Sequence, residues 1–212
     1  MTTPRQQREQ AAAGLEQLSA LVRAQSWRSD GSPALPPTQA AVLRLLGQPG
    51  PLRAFQIAER LGVSPASLSD SLKALEAKKW IARSPDPADR RASLLRLTRA
   101  GQVVSRQLRD PANGLGRLLQ GMNEQDIGVL LRATQLLVGQ AQRLGMATGT
   151  RTCLGCRFFK PYGGSADQPH FCDFIGKAFG DAELRVDCAE QLPADTEQLA
   201  ENLARFRQLT PP

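Results

Sequence analysis

The segment 35–101 constrains the fold of this chain more than any other part of it. Apolar residues recur at helical spacing in two short stretches, and the second stretch stops at Gly62, a residue suited to the left-handed position after a helix. Ser64 and Pro65 then supply a capping hydroxyl and a first-turn proline for a third helix. Short helices joined in this way predict a helix-turn-helix, a motif that lays its second helix in the major groove of DNA.

The predicted second helix of this motif has two faces of different chemistry. An apolar stripe at spacings of three and four residues is expected to face the core, and it consists of Leu68, Leu72 and Leu75. The opposite side carries small polar and charged side chains that can approach base edges and phosphates, and these are Ser64, Ser67, Ser69, Asp70 and Lys73. A solvated surface helix would show the same pattern, so the helix alone leaves both interpretations open.

A basic hairpin follows this helix. Short apolar strands are predicted at 80–82 and 94–97. The turn-rich segment between them contributes three arginines, which are Arg83, Arg90 and Arg91. A hairpin at this position is a wing, whose arginines can neutralise phosphates or enter a narrow minor groove. Asp89 is expected to orient these arginines, because a lone carboxylate without a second acid or a histidine nearby offers no general acid–base pair.

These motifs resemble those of the MarR family of winged-helix repressors. The similarity rests on Thr38-Gln39, Ile57-Ala58, Leu61-Gly62-Val63-Ser64, Leu75-Glu76, Asp89-Arg90-Arg91 and Leu97-Thr98 with Gly101. The resemblance implies a homodimer that binds a pseudo-palindromic operator in double-stranded DNA. Asp70 departs from it, since many relatives carry a polar or basic residue there. A carboxylate accepts a hydrogen bond from N4 of cytosine but repels phosphate.

The charge of the chain is unevenly distributed. The 212 residues include 27 basic and 20 acidic side chains, for a net charge of +7. Residues 36–101 hold 11 basic and 5 acidic side chains, a difference of +6, whereas residues 151–212 hold 7 and 9, a difference of −2. This distribution is typical of a nucleic-acid reader with an appended module. Without a membrane-length apolar run or a signal-peptide core, the protein is expected to be cytoplasmic.

The regions that flank 35–101 are predicted to be mainly helical. One amphipathic helix is expected before it, and after it come helices capped by Thr98 and Asn123, with an interruption near 110–114. The resemblance implies that these helices form a dimer interface, and ordinary packing within one chain is the alternative. The predicted fold is mainly α with a small β-wing. Its regions are an N-terminal dimerisation helix (1–34), a winged helix-turn-helix DNA-binding domain (35–101), dimerisation helices (102–147) and a cysteine-rich metal-binding module with a C-terminal helix (148–212).

All the cysteines of the chain lie in its last region, at Cys153, Cys156, Cys172 and Cys188. The spacing Cys-x2-Cys-x15-Cys-x15-Cys places two sulfurs on one tight turn, and two distant cysteines can complete four-coordination. His170, the only histidine, is interpreted as a substitute ligand or as a residue that supports the site. Scattered buried cysteines are the alternative, which the clustering disfavours. The pattern therefore predicts a metal site.

The spacing leaves the identity of the metal open. Structural zinc sites usually contain two close ligand pairs, whereas an iron–sulfur cluster needs four thiolates without that pairing and benefits from an aromatic shield. Six of the seven phenylalanines lie in this region. The ligand spacing also resembles that of high-potential-type 4Fe–4S proteins. An iron–sulfur cluster is therefore favoured, and zinc is the alternative.

The expected function is a dimeric DNA-binding transcriptional regulator, a repressor by the resemblance, that senses redox or iron status through an iron–sulfur cluster held by the four cysteines. The first alternative is a regulator of the same type with a structural zinc site and a small-molecule effector. An adaptor that does not bind DNA is a second alternative. An enzyme is disfavoured, because the chain has one histidine, no glycine-rich phosphate loop and no βαβ pattern around Cys153-x2-Cys156.

Overall fold

The computed structural model describes residues 2–25, 35–110, 114–146 and 149–208. Contacts within the chain define two compact units, the first comprising 1–57 and 63–121 and the second 58–62 and 122–212. In the described ranges no helix is both long enough and apolar enough to cross a bilayer. The fold is mainly helical with small antiparallel sheets, which confirms the predicted fold class.

The elements that precede residue 122 follow the order of a winged helix. They are α1 (Pro4–Gln25), α2 (Pro37–Leu46), β1 (Leu52–Arg53), α3 (Ala54–Leu61), α4 (Pro65–Ala77), β2 (Ile81–Asp86), β3 (Asp89–Leu97), α5 (Arg99–Arg109) and α6 (Gly114–Leu119). The sheet is antiparallel in the order β1-β3-β2. Leu95 of β3 pairs with Leu52 of β1 and with Arg83 of β2, so one strand connects the whole sheet.

Local signals set the helix starts that the sequence predicts. The side chains of Ser64, Thr98, Asn123 and Asp195 each accept a hydrogen bond from a backbone N–H in the first turn of α4, α5, α7 (Glu124–Arg143) and α8 (Thr196–Phe206). The interruption predicted near 110–114 falls between α5 and α6, although 111–113 lie outside the described residues. The break predicted after the first helix also lies largely outside them.

The apolar stripe predicted for α4 is buried. Leu68, Leu72 and Leu75 have at most 2% of their surface exposed, and they share the core of the first unit with residues of α2 and the sheet. The same stripe therefore leaves Asp70 and Lys73 on the exposed side of α4.

The wing strands are longer than the sequence indicated. Strands were predicted at 80–82 and 94–97, but β2 and β3 run to the turn at Pro87-Ala88. Trp80 itself lies outside β2, because it follows Lys79, whose left-handed backbone (φ 57°) ends the helical segment. The polar strand residues of the wing have no apolar alternation that could have revealed them.

The second unit holds the cysteines and a small sheet that the sequence did not predict. Its elements are α7, β4 (Phe159–Lys160), β5 (His170–Cys172), β6 (Lys177–Phe179), a 3₁₀ turn at Asp181–Glu183 and α8. The sheet is antiparallel in the order β4-β5-β6. Phe159, Phe179 and Phe206 form the centre of an apolar core that also contains Cys156. The aromatic residues that cluster near the cysteines in sequence are therefore the core of this unit.

Candidate nucleic-acid interface and four-cysteine cavity

The outer face of α4 presents the polar residues that the sequence assigned to DNA. Ser64, Ser67, Asp70 and Lys73 are exposed, and Ser69 is half-buried. The Ser64 hydroxyl accepts from the Ser67 N–H at 3.2 Å, so it serves as the helix cap. Lys73 Nζ lies 3.6 Å from the Asp70 carboxylate. This pairing offsets part of the negative charge that would face a phosphate, although an exposed pair contributes little to stability.

The three wing arginines have different environments. Arg83 forms an ion pair with Glu76 of α4 and thereby connects β2 to that helix. Arg90 and Arg91 are exposed beside the turn of the wing, and neither side chain has an ion-pair partner among the described residues. Unpaired guanidinium groups keep their donors available for phosphate oxygens or a minor groove. Arg90 and Arg91 are therefore the two wing arginines whose guanidinium groups form no ion pair among the described residues.

The Asp89 carboxylate contacts the backbone of the wing and Arg53, and no ion pair of it with Arg83, Arg90 or Arg91 is formed among the described residues. This carboxylate accepts from the Arg91 N–H at 3.0 Å. It also lies 3.7 Å from the guanidinium of Arg53 on β1. These contacts tie the backbone next to the basic tip to the neighbouring strand.

Sequence reasoning missed a second carboxylate that anchors the wing. Asp86, which is 6% exposed, accepts from the Ala88 N–H at 2.9 Å and from Arg53 Nε at 2.6 Å. The first contact closes the turn and the second holds the wing against β1. The turn sequence Asp86-Pro87-Ala88 is a signal that could have identified this aspartate, because aspartate side chains accept backbone hydrogen bonds two residues on.

The pKa of the Asp86 carboxyl is lowered from its ordinary value of 3.8, chiefly by the hydrogen bond from Ala88 and further by Arg53, while burial acts in the opposite direction. A carboxyl whose pKa falls on folding stabilises the folded state above its unfolded pKa. That contribution is lost as the pH falls through the folded pKa. We therefore expect Asp86→Asn to lower the free energy of unfolding at neutral pH. This difference in free energy between the variant and wild type should narrow as the pH falls below about 4.

Urea unfolding between about pH 7 and about pH 3 measures this gap. Asp70→Asn is the matched control, since it removes an exposed carboxylate with the same change in charge. It should alter the free energy of unfolding at neutral pH by less than about 0.5 kcal/mol. A gap for Asp86→Asn that is as large at the acid end as at neutral pH would contradict the role assigned to this carboxylate.

In the second unit all four cysteines line one cavity of about 110 Å³. The cysteines come from separate segments of the chain. Cys153 and Cys156 share a turn in which the Cys156 N–H donates to the Cys153 carbonyl at 2.9 Å. Cys172 is the last residue of β5, and Cys188 follows the 3₁₀ turn. All four are free thiols, with Cys156 buried and the others half-buried. The structure therefore places all four cysteines around one cavity, and their role as metal ligands stays a prediction.

Buried polar contacts hold these segments in place. Gln135 of α7 is fully buried, and its amide accepts from the Leu154 N–H at 3.0 Å and donates to the Arg185 carbonyl at 2.9 Å. The Arg185 N–H in turn donates to Cys153 Sγ at 3.2 Å. Sequence reasoning missed Gln135, because a single glutamine in an amphipathic helix carries no signal of what it contacts.

The surroundings of the Cys153 thiol disfavour its charged form. Burial raises the pKa of the Cys153 thiol to about 11, and the three other cysteines add to this effect. Within the described ranges, no three His, Cys, Asp or Glu side chains are grouped tightly enough for one metal ion to join them.

His170 lies outside the wall of this cavity, in the aromatic core. It is fully buried between the rings of Phe159 and Phe206, among others. The Tyr162 N–H points to its Nδ1 at 3.4 Å, so Nε2 carries the proton and donates to Asp181 at 2.8 Å. Burial acts to raise the pKa of Asp181, but the bond from His170 and the charge of Arg132 lower it on balance. Both ring nitrogens are therefore engaged away from the cysteines.

The winged helix is similar to known transcriptional regulators. Residues 35–93 match the model of the MarR family. An uncharacterised HTH-type transcriptional regulator, YxaD of Bacillus subtilis (strain 168), is 41% identical over 63 residues, which are 30% of this chain and 44% of that protein. The match thus spans less than half the length of that relative.

Two crystal structures share the fold. A MarR/EmrR family transcriptional regulator from Acinetobacter sp. ADP1 has a TM-score of 0.55 and 22% identity, over 64% of this chain and 97% of that one. FabT of Streptococcus pneumoniae in complex with DNA has a TM-score of 0.52 and 23% identity, over 65% and 98%. Residues 35–93 therefore match the MarR family model and lie within a winged helix-turn-helix, the fold that these two structures share.

Proposed function

We propose that this protein is a transcriptional regulator that binds double-stranded DNA as a homodimer. The observation that carries the proposal is the pairing of an exposed polar face on α4 with two unpaired arginines at the wing tip. The first can reach base edges in a major groove, and the second can reach phosphates or the adjacent minor groove. The net charge of +6 over 36–101 supports the same assignment, because phosphate contacts supply much of the affinity for DNA.

Exposed leucines in the first unit support the homodimer. Helices α1 and α6 contact one another. Their outer surfaces expose large apolar side chains, with Leu15, Leu18, Leu21, Leu115 and Leu118 each between 40% and 55% exposed. A cluster of this kind is suited to burial against a second copy of the chain. Two-fold symmetry would then present two α4 helices to the half-sites of a pseudo-palindromic operator.

A repressor acts by occupying its operator, and a signal must be able to release it. The four-cysteine cavity would receive such a signal, because a metal centre bound there can be lost, oxidised or rebuilt as redox conditions or iron supply change. The regulator would respond if the centre favoured one of two states that differ in DNA affinity. In this proposal the winged helix binds DNA and the cysteine-bearing unit senses redox or iron status.

DNA binding as a function of salt tests the proposal. Wild-type protein should bind its operator duplex as a dimer, and with about six phosphate contacts its affinity should fall by about 10³-fold between about 50 mM and about 200 mM salt. Fluorescence anisotropy gives the affinity, and light scattering gives the mass in solution. If the protein is monomeric and does not bind duplex DNA at low salt, the proposal is refuted and the adaptor alternative is favoured.

A groove in the first unit favours a second candidate, a regulator with a small-molecule effector and a structural zinc. The groove has a volume of about 670 Å³ and lies among the α2–β1 turn, the wing strands and α5. Its lining includes Arg96, Arg106 and Arg109 and no acidic residue. Such a lining suits an anionic molecule, and a ligand held there would connect the wing to α5.

A further inference from the structure

We infer that the four-cysteine cavity binds an iron–sulfur cluster of the 4Fe–4S type through Cys153, Cys156, Cys172 and Cys188. The inference rests on the proposed function only for the link to DNA binding, and it gives the metal centre of that proposal a chemical identity. Three properties of the cavity carry it: its size, the chemistry of the ligands and the apolar wall.

The size of the cavity favours a group larger than one ion. The four cysteines line a cavity of about 110 Å³ that lies between separate backbone segments. A single zinc ion bound by four thiolates needs no such space between them, because each sulfur lies about 2.3 Å from the metal. A cubane of iron and sulfide bound by four cysteines is a larger group.

The ligand set consists of sulfur alone. The nearest candidate nitrogen ligand is His170, and its ring is held in the aromatic core by Asp181 and Tyr162. Two carboxylates, Glu183 and Glu190, also line the cavity, and both are exposed at its edge. Iron–sulfur clusters are usually bound by four cysteine thiolates rather than by other side chains.

The wall of the cavity is mostly apolar. Phe158, Phe159, Phe174, Ile175 and Phe179 line it beside the cysteines. The rings of Phe158 and Phe174 lie 5.5 Å apart, and Phe174 remains 52% exposed at the surface. These side chains would limit the access of water and oxidants to a cluster. Such access shortens the lifetime of a cluster and alters its reduction potential.

One of the four sulfurs accepts a backbone hydrogen bond. The Arg185 N–H donates to Cys153 Sγ at 3.2 Å, and the Cys153 N–H donates back to the Arg185 carbonyl at 3.0 Å. An N–H donated to a thiolate is a typical interaction around clusters, because it stabilises the charge that four thiolates bring together. The segment that carries Cys188 is held by Arg151, which donates to the Asp187 carboxylate at 2.8 Å.

The experiment is reconstitution of the full-length protein without oxygen, once with ferrous iron and sulfide and once with zinc. The first should give brown protein with roughly four iron and four sulfide ions per chain. Cys172→Ser and, separately, Cys188→Ser should each retain less than about a quarter of that iron. Glu190→Gln is the matched control, since it alters a side chain of the same cavity without removing a thiol, and it should retain the full content.

Other outcomes would overturn the inference. Colourless protein that takes up one zinc ion per chain and no sulfide would assign the site to zinc, and full iron content in both cysteine variants would remove the predicted ligands. Wild-type reconstitution gives a result even if a variant fails to fold. Operator binding is measured on the same samples. If no cluster forms and the protein still binds duplex DNA, this inference alone is refuted. If a cluster forms but neither the loaded nor the cluster-free protein binds duplex DNA, the proposed function alone is refuted.

Discussion

Replacing Arg90 and Arg91 together with alanine should weaken binding to operator DNA by about 10- to 100-fold at moderate salt. The two side chains are exposed at the wing tip and have no ion-pair partner among the described residues, so their replacement breaks no ion pair there. If each contacts one phosphate, the slope of log affinity against log salt should decrease by about 1.8 per protomer.

The double variant should lose affinity for specific and unrelated duplexes alike, because phosphate contacts carry no sequence information. Its free energy of unfolding should stay within about 0.5 kcal/mol of wild type. Arg205→Ala is a suitable control, since it removes an exposed arginine that pairs only with Glu201 four residues earlier in α8. An unchanged salt slope in the double variant would show that the wing tip does not contact the DNA backbone.

Gly101→Ala should destabilise the winged helix by about 2–4 kcal/mol. A Cβ atom at this position would lie 1.9 Å from the Trp80 carbonyl oxygen, so the backbone of either segment would have to move. The Thr98 hydroxyl accepts from the Gly101 N–H at 3.1 Å and donates to the Lys79 carbonyl at 2.7 Å. The start of α5 and the end of α4 are thereby fixed to each other through these groups.

Urea unfolding of the purified variant gives the loss directly. Gly14→Ala is the matched control, because an added Cβ there meets no atom within 4 Å and the residue lies inside α1. That substitution should be neutral or should stabilise by up to about 1 kcal/mol. If the Gly101→Ala protein is as stable as wild type, the Trp80 carbonyl does not prevent a side chain at position 101.

This contact also explains the spacing Leu97-Thr98-x2-Gly101, on which part of the family resemblance rests. Threonine supplies a hydroxyl that both caps a helix and donates to the preceding turn, and glycine leaves room for a carbonyl. The sequence shows the motif, and the helix start at Thr98 follows from it. The carbonyl that excludes a side chain at Gly101 comes from a residue on the other side of the wing, and no local pattern identifies it.

The winged helix could be predicted well because its signals are local. Period, cap and first-turn proline lie within a few residues of one another in α4, and the confirmed burial of Leu68, Leu72 and Leu75 follows from that spacing alone. The strands β4, β5 and β6 could not be predicted, because two or three residues are too few to show an alternation. Asp86 was missed for a related reason, since its partner Arg53 lies on a different strand.

The sequence by itself determined that this chain carries a winged helix, which segments are helical and which four thiols are the candidate ligands. Each of these properties depends on residue types at short, countable spacings. Only the tertiary structure decided that the thiols of Cys172 and Cys188 share a cavity with Cys153 and Cys156 and that His170 faces the aromatic core. It also decided that Arg83 forms an ion pair, whereas Arg90 and Arg91 form none with the residues that the structure describes. Contacts between distant segments form when the core packs, and the spacing of residues along the chain does not specify them.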